Sequence, residues 1–398
     1  MKRIAILAAV VAMVGALNGC STFTKLTDSV TPTFGRQTGQ QFVLENAWSR
    51  STLKYDFYGF RRLNRMSPIV LDTMIIAANS IDGILAFDRS NGRLLWRVDV
   101  ENGVEGGAQV AGDKLYFGSS DGQFYCVNLI NGKTAWTFPV RAETLAAPTV
   151  EGGVVYFQSG ADVIFALDAA SGKQLWTYNR QVTTQLSIRA TTRPIVVGDT
   201  LYAGFSDGYF VSIKRKDGTL NWERKIGKGA RFHDVDATPV VDGDSIYVAS
   251  FDGSLVSLKA ASGDVTWTIE QGAYVPVTLG TGRLNDRLYY STANGEILAV
   301  DKRSGKVLKT FKVEHGIATQ VSLYRGFMLY GESEGALIAA DAETGETVAH
   351  YESGHGVLAS PTVVESANEA YVTSVGANLY AFRLGFRKKS DLLPWQTK

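Results

Sequence analysis

Cysteine, net charge and long apolar segments are all scarce in this sequence. Its 398 residues include two cysteines, and 40 basic against 39 acidic side chains give a formal charge of +1. A balanced charge provides no global field that would draw the chain to nucleic acid. After residue 20, no apolar run approaches the roughly 20 residues that a membrane-spanning helix needs. The composition therefore favours a globular chain and gives no reason to expect a nucleic-acid partner.

The one long apolar stretch lies at the N-terminus. Two basic residues, Lys2 and Arg3, precede apolar residues 4–16, a run that is typical of a signal peptide. It ends in Leu-Asn-Gly-Cys at 17–20, which resembles the bacterial lipobox. We predict a signal peptide over 1–19 and a lipid on Cys20; an ordinary signal peptide with a cysteine there by chance is the alternative. In the lipoproteins that this segment resembles, an Asp after the cysteine would favour inner-membrane retention; Ser21 lies there, so the resemblance implies sorting to the outer membrane.

The mature chain would have 398 − 19 = 379 residues, enough to bury a large core. With Cys20 acylated, Cys126 is the only other cysteine, so no intrachain disulfide is possible. Cys126 lies in an alternating apolar run, which predicts a buried small hydrophobic side chain. Residues 20–43 are rich in Thr, Ser, Gln and Gly and predict a flexible tether between lipid and domain.

An internal repeat with a period near forty residues organises the rest of the chain. Each unit has a glycine in a late turn, and in five units a tryptophan follows it four residues later. The glycines are Gly92, Gly132, Gly172, Gly218, Gly263, Gly305 and Gly345, and the tryptophans are Trp96, Trp136, Trp176, Trp222 and Trp267. In the last two units Lys309 and Ala349 occupy the tryptophan position.

The pattern of each unit, apolar or alternating segments separated by Asp-Gly or Asn-Gly turns, predicts a four-stranded antiparallel sheet. An eighth unit starts near Leu358 but stops before its tryptophan strand, whereas residues 45–49, around Trp48, have the pattern of that missing strand. We therefore predict an all-β fold: an eight-bladed β-propeller over 44–385, with the ring closed by an N-terminal strand that completes the last blade, and a C-terminal tail over 386–398. An open β-solenoid would need capping repeats and would leave the split eighth unit unexplained.

Three of the four histidines fall in equivalent connections between units. His233 and His355 each stand six residues before a proline, and His315 lies one repeat before His355. A metal ion would need these side chains to converge, but blade five is not adjacent to blades seven and eight. We interpret them as solvated loop residues and predict no metal site.

The two longest repeat intervals, 46 and 45 residues, are consecutive and end at Gly218 and Gly263. Their extra residues fall after Trp176 and Trp222, in connections that lead from an outer strand into the next blade. Long loops on a rigid scaffold are frequent binding sites. The two connections contain the candidate partner-binding residues Leu186, Ile188, Arg189, Asp234 and Asp236. The alternative is that the charged residues bridge adjacent blades while the aliphatic ones pack inward.

The repeat, over residues 45–385, resembles the pyrroloquinoline-quinone type of propeller repeat. Two families of exported proteins share it: quinoprotein dehydrogenases and the BamB family of lipoproteins in the outer-membrane β-barrel assembly machinery. Resemblance to the dehydrogenases would imply adjacent cysteines beside the quinone and a Ca²⁺ site, and no adjacent cysteines occur. The Asp residues of the repeat precede turn glycines and have a structural role there. We therefore predict no cofactor and no enzymatic activity.

Resemblance to the BamB family is more specific. In that family a Leu-Ser-Leu-Arg loop and an Asp-Val-Asp-Thr-Thr-Pro segment are implicated in binding BamA; here they correspond to residues 186–189 and 234–239. The resemblance implies binding to the periplasmic POTRA domains of BamA and to other subunits, with unfolded outer-membrane proteins as further partners. It also implies a lipid-anchored outer-membrane location facing the periplasm. Departures are the aromatic and basic segment 55–65 and the basic tail. A quinone-dependent dehydrogenase and a propeller that binds glycan or another envelope protein remain as alternatives.

Overall fold

The computed structural model describes residues 40–54, 64–180, 192–227, 234–251 and 253–388. Two compact units are present, one formed by Leu44–Gly385 and the other by residues 1–43 with 386–398. In the second unit the described residues include Phe42 and Phe386, whose rings pack edge to face with centroids 5.6 Å apart. Among the described residues, helical structure is limited to two 3₁₀ turns, at Gly282–Leu284 and Glu365–Ala367, and neither could cross a membrane.

Eight four-stranded antiparallel sheets form the blades, which confirms the predicted all-β propeller. The first strands are β2 (Ile69–Val70), β6 (Ala108–Ala111), β10 (Thr149–Glu151), β14 (Ile195–Val197), β18 (Val240–Asp242), β22 (Thr278–Leu279), β26 (Ser322–Tyr324) and β30 (Thr362–Val364). The second strands are β3 (Met74–Asn79), β7 (Lys114–Gly118), β11 (Val154–Gln158), β15 (Thr200–Gly204), β19 (Ser245–Ala249), β23 (Arg287–Ser291), β27 (Phe327–Gly331) and β31 (Glu369–Thr373). These second strands are almost wholly buried, as their apolar sequences predict.

The third strands complete the buried part of each blade and the outer strands are half exposed. The third strands are β4 (Gly83–Asp88), β8 (Gln123–Asn128), β12 (Val163–Asp168), β16 (Tyr209–Lys214), β20 (Leu255–Lys259), β24 (Glu296–Asp301), β28 (Leu337–Asp341) and β32 (Asn378–Lys388). The outer strands are β5 (Leu94–Asp99), β9 (Thr134–Pro139), β13 (Gln174–Asn179), β17 (Leu220–Lys225), β21 (Val265–Ile269), β25 (Val307–Lys312), β29 (Thr347–Tyr351) and β1 (Gln40–Ser51).

The N-terminal strand closes the ring. The sheet order β1-β32-β31-β30 makes β1 the outer strand of the eighth blade, as the split last unit predicts. Strand β1 is longer than residues 45–49, because it begins at Gln40 and ends at Ser51. Strand β32 likewise continues to Lys388, beyond the predicted start of the tail at residue 386. Pairing of the first and last strands in one sheet removes an exposed sheet edge and ties the two chain ends together.

Tryptophans on the outer strands join each blade to the next. Each indole Nε1 donates a hydrogen bond to a backbone carbonyl of the following blade, just before that blade's turn glycine. The pairs are Trp48 with Arg89, Trp96 with Leu129, Trp136 with Ala169, Trp176 with Arg215, Trp222 with Ala260 and Trp267 with Lys302, at 2.9–3.3 Å. All six tryptophans therefore share one register, and Trp48 closes the ring with the same contact.

The turn glycines are required by these seams. Gly263 has φ of +68°, and a Cβ there would lie 2.5 Å from Cε3 of Trp222. In the sixth unit Lys309 lies at the tryptophan position, but Phe311, two residues later, packs on Gly345 instead. In the seventh, Tyr351 lies two residues after Ala349, and its ring contacts Phe382 with centroids 4.8 Å apart. Residues two apart on a strand share a face, so an aromatic ring still fills each seam.

Cys126 is fully buried at a position where every blade needs a small side chain. It pairs with Trp136 across strands β8 and β9, as Ala86 pairs with Trp96 and Ala166 with Trp176. Burial raises the pKa of the Cys126 thiol to about 11. The thiol is thus neutral and acts as a small apolar group, as the alternating sequence predicts.

Candidate functional site

A central cavity of about 750 Å³ is lined by residues from all eight blades. Its walls are the first strands and the residues that immediately precede them, which belong to the connections from each outer strand into the next blade. Most of the lining is apolar or small, and the charged side chains are Arg65, Glu105, Arg193 and Asp236. The two long connections identified from the repeat intervals reach the first strands at this cavity.

The first long connection is described only at its two ends. Leu186, Ile188 and Arg189 lie outside the described residues. At its start, the Arg180 guanidinium pairs with Asp207 and, at 2.6 Å, with Glu223. The same guanidinium lies over the Tyr209 ring at 4.3 Å from the centroid. Burial opposes the charge, but the hydrogen bonds to Glu223 and Asp207 raise the pKa of Arg180 above its ordinary value.

The last residue of this connection before its proline is Arg193. Its Nε donates to Thr149 Oγ1 at 3.1 Å, and its second terminal nitrogen donates to Gln109 Oε1. These partners belong to β10 and β6, so Arg193 ties the fourth blade to the third and second. Both flanks of residues 181–191 are therefore held by arginines whose partners lie outside the connection itself.

In the second long connection, the described residues resume at Asp234. Asp234 is 1% exposed and Asp236 is 7% exposed, so both carboxyl groups lie inside the fold. Between them, Val235 donates its amide to the Phe205 carbonyl at 3.1 Å and accepts a hydrogen bond from Thr192 Oγ1. The Val235 backbone packs directly on Gly204, where no side chain would fit. The backbone between the two aspartates is thus fixed where the third, fourth and fifth blades meet.

Three carboxyl groups meet at this junction. Asp162, Asp234 and Asp236 line one small crevice, and Ser206 Oγ donates to Asp162. Burial raises the pKa of Asp236 well above 3.8, the charge of Asp234 adds to this, and Arg65 opposes it. Burial also raises the pKa of Asp162, although Ser206 lowers it. Within the described residues, neither carboxylate oxygen of Asp236 has a partner with good hydrogen-bond geometry, although the backbone N–H groups of Asp236 and Ala237 lie close enough to oppose the rise in its pKa.

The repeat intervals select two connections that reach the cavity, but they give no sign of Arg180, Arg193 or Arg65. A signal for Arg193 exists in the repeat. Six blades have a proline just before or at the start of the first strand, and the residue before it is small or uncharged in all but one. These residues are Ser67, Ala147, Arg193, Thr238, Val275 and Ser360. The single charge at a repeated position distinguishes Arg193 from its equivalents.

The predicted histidine positions differ in their surroundings. His315 is mostly exposed, and its Nδ1 lies 3.1 Å from Oε2 of the buried Glu332. His355 is exposed, and His233 lies outside the described residues. Over the described part of the chain, no group of three His, Cys, Asp or Glu side chains could hold a metal ion.

The fold and site together define a closed eight-bladed propeller with four charged side chains, Arg65, Glu105, Arg193 and Asp236, in the lining of its central cavity. A family model described as outer membrane protein assembly factor BamB matches residues 82–311 and 293–384. The chain belongs to this family. This result confirms the family resemblance drawn from the two loop motifs.

Individual relatives agree with this membership. Outer membrane protein assembly factor BamB of Salmonella typhimurium strain LT2 is 28% identical over 336 residues, which cover 80% of this chain and 83% of that protein. The crystal structure of BamB from Moraxella catarrhalis superposes with a TM-score of 0.74 at 20% identity, covering 86% of this chain and 100% of that one. Quinohemoprotein alcohol dehydrogenase ADHIIG from Pseudomonas putida HK5 shares the fold, with a TM-score of 0.71 at 14% identity over 89% of this chain and 77% of that one. The last two likenesses concern the fold alone.

Proposed function

We propose that this protein is a non-enzymatic accessory lipoprotein of the outer-membrane β-barrel assembly complex. The observation that supports this most strongly is the match to the BamB family model across residues 82–384. In this role the propeller is a rigid platform that holds the barrel-assembling subunit and assists insertion of outer-membrane proteins. Unfolded outer-membrane proteins are secondary partners in the same proposal.

The two long connections bind the POTRA domains of BamA in this proposal. Leu186 and Ile188 supply apolar contacts and Arg189 supplies a charge that sets orientation. Support comes from the described flanks, because Arg180 and Arg193 fix both ends of the first connection on neighbouring blades. Asp234 and Asp236 act from within: the Val235 backbone between them holds the second connection against the fourth blade, and a partner reaches Asp236 through the central cavity.

The proposed location is the periplasmic face of the outer membrane, with the anchor at Cys20. The lipobox-like residues 17–20 support this. Cys20→Ala should move the protein from the membrane fraction to the soluble periplasmic fraction and should abolish labelling by radioactive palmitate. Unchanged labelling would contradict the anchor and would leave the propeller assignment intact.

Affinity capture from detergent-solubilised outer membranes tests the partner. The full lipidated chain should recover BamA, whereas Arg189→Glu should recover little of it. Arg303→Glu is the matched control, because Arg303 is an exposed arginine in the turn between β24 and β25, at the far end of an outer strand from these connections. Equal recovery by Arg189→Glu and Arg303→Glu would reject the proposed interface.

A quinone-dependent oxidoreductase is the second candidate, and the likeness to a quinohemoprotein alcohol dehydrogenase is the observation in its favour. Purified protein should be incubated with pyrroloquinoline quinone and Ca²⁺ and assayed with alcohols and an artificial electron acceptor. We expect no turnover above that of heat-denatured protein. Turnover that depends on both additions would overturn the scaffold assignment.

A further inference from the structure

The central cavity is lined by two guanidinium groups that have no carboxylate oxygen of the described residues within ion-pair distance, although the charge of Arg65 acts on the nearby Asp236 and lowers its pKa. The two groups belong to Arg193 and Arg65. Across residues 40–54, 64–180, 192–227, 234–251 and 253–388, neither arginine forms an ion pair. By contrast, the ion pairs of Arg180 and Arg215 place carboxylate oxygens at 2.6 and 2.9 Å from the guanidinium nitrogens. Arg193, which is partly buried, is thus unlike most interior arginines, which are neutralised where they are buried, whereas Arg65 is exposed.

Arg193 shows this most clearly. Its two hydrogen-bond partners, Thr149 Oγ1 and Gln109 Oε1, are both uncharged. Burial lowers the pKa of Arg193, and no carboxylate raises it back. A guanidinium has five N–H donors, and two of them are used here. The other three N–H donors of this half-buried side chain remain available to a ligand. Arg193 lines a cavity that is large enough for a small molecule.

Polar atoms near Arg65 also have no hydrogen-bond partner in the described part of the chain. Its guanidinium lies over the Tyr274 ring at 5.9 Å from the centroid. Among the described residues, the Tyr274 hydroxyl and both carboxylate oxygens of Asp236 are buried without a partner of good hydrogen-bond geometry. Buried polar atoms without partners cost free energy and are uncommon in native proteins. Three of these atoms belong to residues that line the cavity, where they are available to a ligand.

The guanidinium groups favour an anionic ligand and the Asp236 carboxylate favours a cationic one, so the charge states of these groups decide which kind of ligand the cavity binds. Arginine remains a cation at any physiological pH. Burial raises the pKa of Asp236 well above its ordinary value, and a protonated Asp236 donates a hydrogen bond and does not repel an anion. The other acid of the cavity, Glu105, is buried and engaged in contacts of its own. The lining thus has two guanidinium groups against two carboxyl groups, and because burial favours the neutral form of Asp236, the balance of charge is positive.

We propose that the central cavity is a binding site for a small anionic ligand that bears carboxylate or phosphate groups, held by Arg193 and Arg65. Planar guanidinium groups bind both oxyanions through paired N–H donors. Tyr274 and Asp236, whose neutral form is favoured by burial, complete the site as hydrogen-bonding groups. The site shares Asp236 and the cavity with the proposed BamA contacts, but the titration that tests it uses no BamA, so the two proposals can fail separately.

Isothermal titration of the full mature chain at low ionic strength tests the site, with citrate as the polycarboxylate and inorganic phosphate as the phosphate source. We expect saturable 1:1 binding of at least one of them, and comparison of the two shows which oxyanion the site prefers. Arg193→Gln should weaken that binding by about tenfold to a hundredfold, because one charged donor set is lost. Arg215→Gln, which removes an arginine that already has a carboxylate partner outside the cavity, should leave it unchanged.

Asp236→Asn supplies a test with the opposite sign and covers the case in which Arg193→Gln fails to fold. For an anion site, Asp236→Asn should keep or tighten citrate binding. Spermidine is the cationic probe, and binding of spermidine that Asp236→Asn abolishes would overturn the proposal in favour of a cation site. Absence of saturable binding of either anion, or equal affinity of wild type and folded Arg193→Gln, would also overturn it.

Discussion

The seams between blades and the wall of the central cavity follow opposite rules. At the seams each indole N–H has a carbonyl partner and each ring packs on a glycine, and this contact repeats around the propeller. At the cavity wall, Asp236, Tyr274, Arg65 and Arg193 have unsatisfied or unneutralised groups, and the residue type at these positions changes from blade to blade. The contrast indicates that the seams supply stability, while the variable positions of the cavity wall are available for binding.

The largest effect should come from breaking one seam. Trp96 is 8% exposed, and its Nε1 donates to the Leu129 carbonyl at 2.9 Å. Trp96→Ala should lower the free energy of unfolding by about 3–5 kcal/mol, because it leaves a cavity and an unpaired carbonyl. Urea denaturation followed by circular dichroism measures this. The neighbouring Leu95→Ala is the control: its side chain is 37% exposed and should cost less than about 1 kcal/mol.

A pair of glycine substitutions separates the seam contact from backbone strain. Gly263 and Gly243 both have left-handed backbone, with φ of +68° and +58°. Only at Gly263 would a Cβ meet Trp222, whereas nothing lies within 4 Å at Gly243. We expect Gly243→Ala to cost about 1 kcal/mol and Gly263→Ala about 2–3 kcal/mol in unfolding free energy. Equal costs would show that the indole yields freely and that the seam is not tightly packed.

At the cavity the sign of the effect should reverse. Because burial raises the pKa of Asp236 in the folded state, the folded protein holds a proton that the unfolded chain releases above about pH 3.9. Stability from this group is therefore present at low pH and is lost as pH rises through the folded pKa. Asp236→Asn should be more stable than wild type by about 1–2 kcal/mol at pH 8, with a smaller gain at pH 5.

Thermal unfolding at both pH values measures this gain, and Asp244→Asn is the control because Asp244 is an exposed carboxylate on the same blade. A loss of stability in Asp236→Asn at pH 8 would mean that the carboxylate is charged and productively paired in the fold. The cavity wall would then have satisfied polar groups like those of the seams, and the contrast between the two regions would be wrong.

The smallest effect should come from Cys126, a seam position at which other blades have alanine. Ala86 and Ala166 occupy the same place opposite their tryptophans. Cys126→Ala should therefore cost about 1 kcal/mol or less in unfolding free energy. A cost of several kcal/mol would mean that the second blade has packed specifically around the thiol.

The seams were predictable from sequence because repetition makes the same residue appear where the same contact is made. Trp48 is assigned to the last blade by its register alone, and the structure confirms it. The aromatic rings of the sixth and seventh seams escaped this comparison, because Phe311 and Tyr351 lie two residues from the expected position. Strand periodicity, applied to the same alignment, would have recovered both.

The cavity was less predictable for the same reason. Interval lengths select the connections that contain Asp234 and Asp236, but spacing does not show which way a side chain points. Their burial depends on the close approach of Val235 to Gly204, a contact between blades that no local pattern encodes. The partners of Arg193 lie 44 and 84 residues away along the chain, beyond any sequence window.

Titration of the mature chain with purified BamA POTRA domains tests the central claim most directly, with affinity and melting temperature measured on the same samples. The account predicts that Arg189→Glu weakens binding by about tenfold or more while its melting temperature stays that of wild type, and that Arg303→Glu changes neither. Wild-type affinity in Arg189→Glu, or a loss of affinity that only follows a loss of stability, would contradict it.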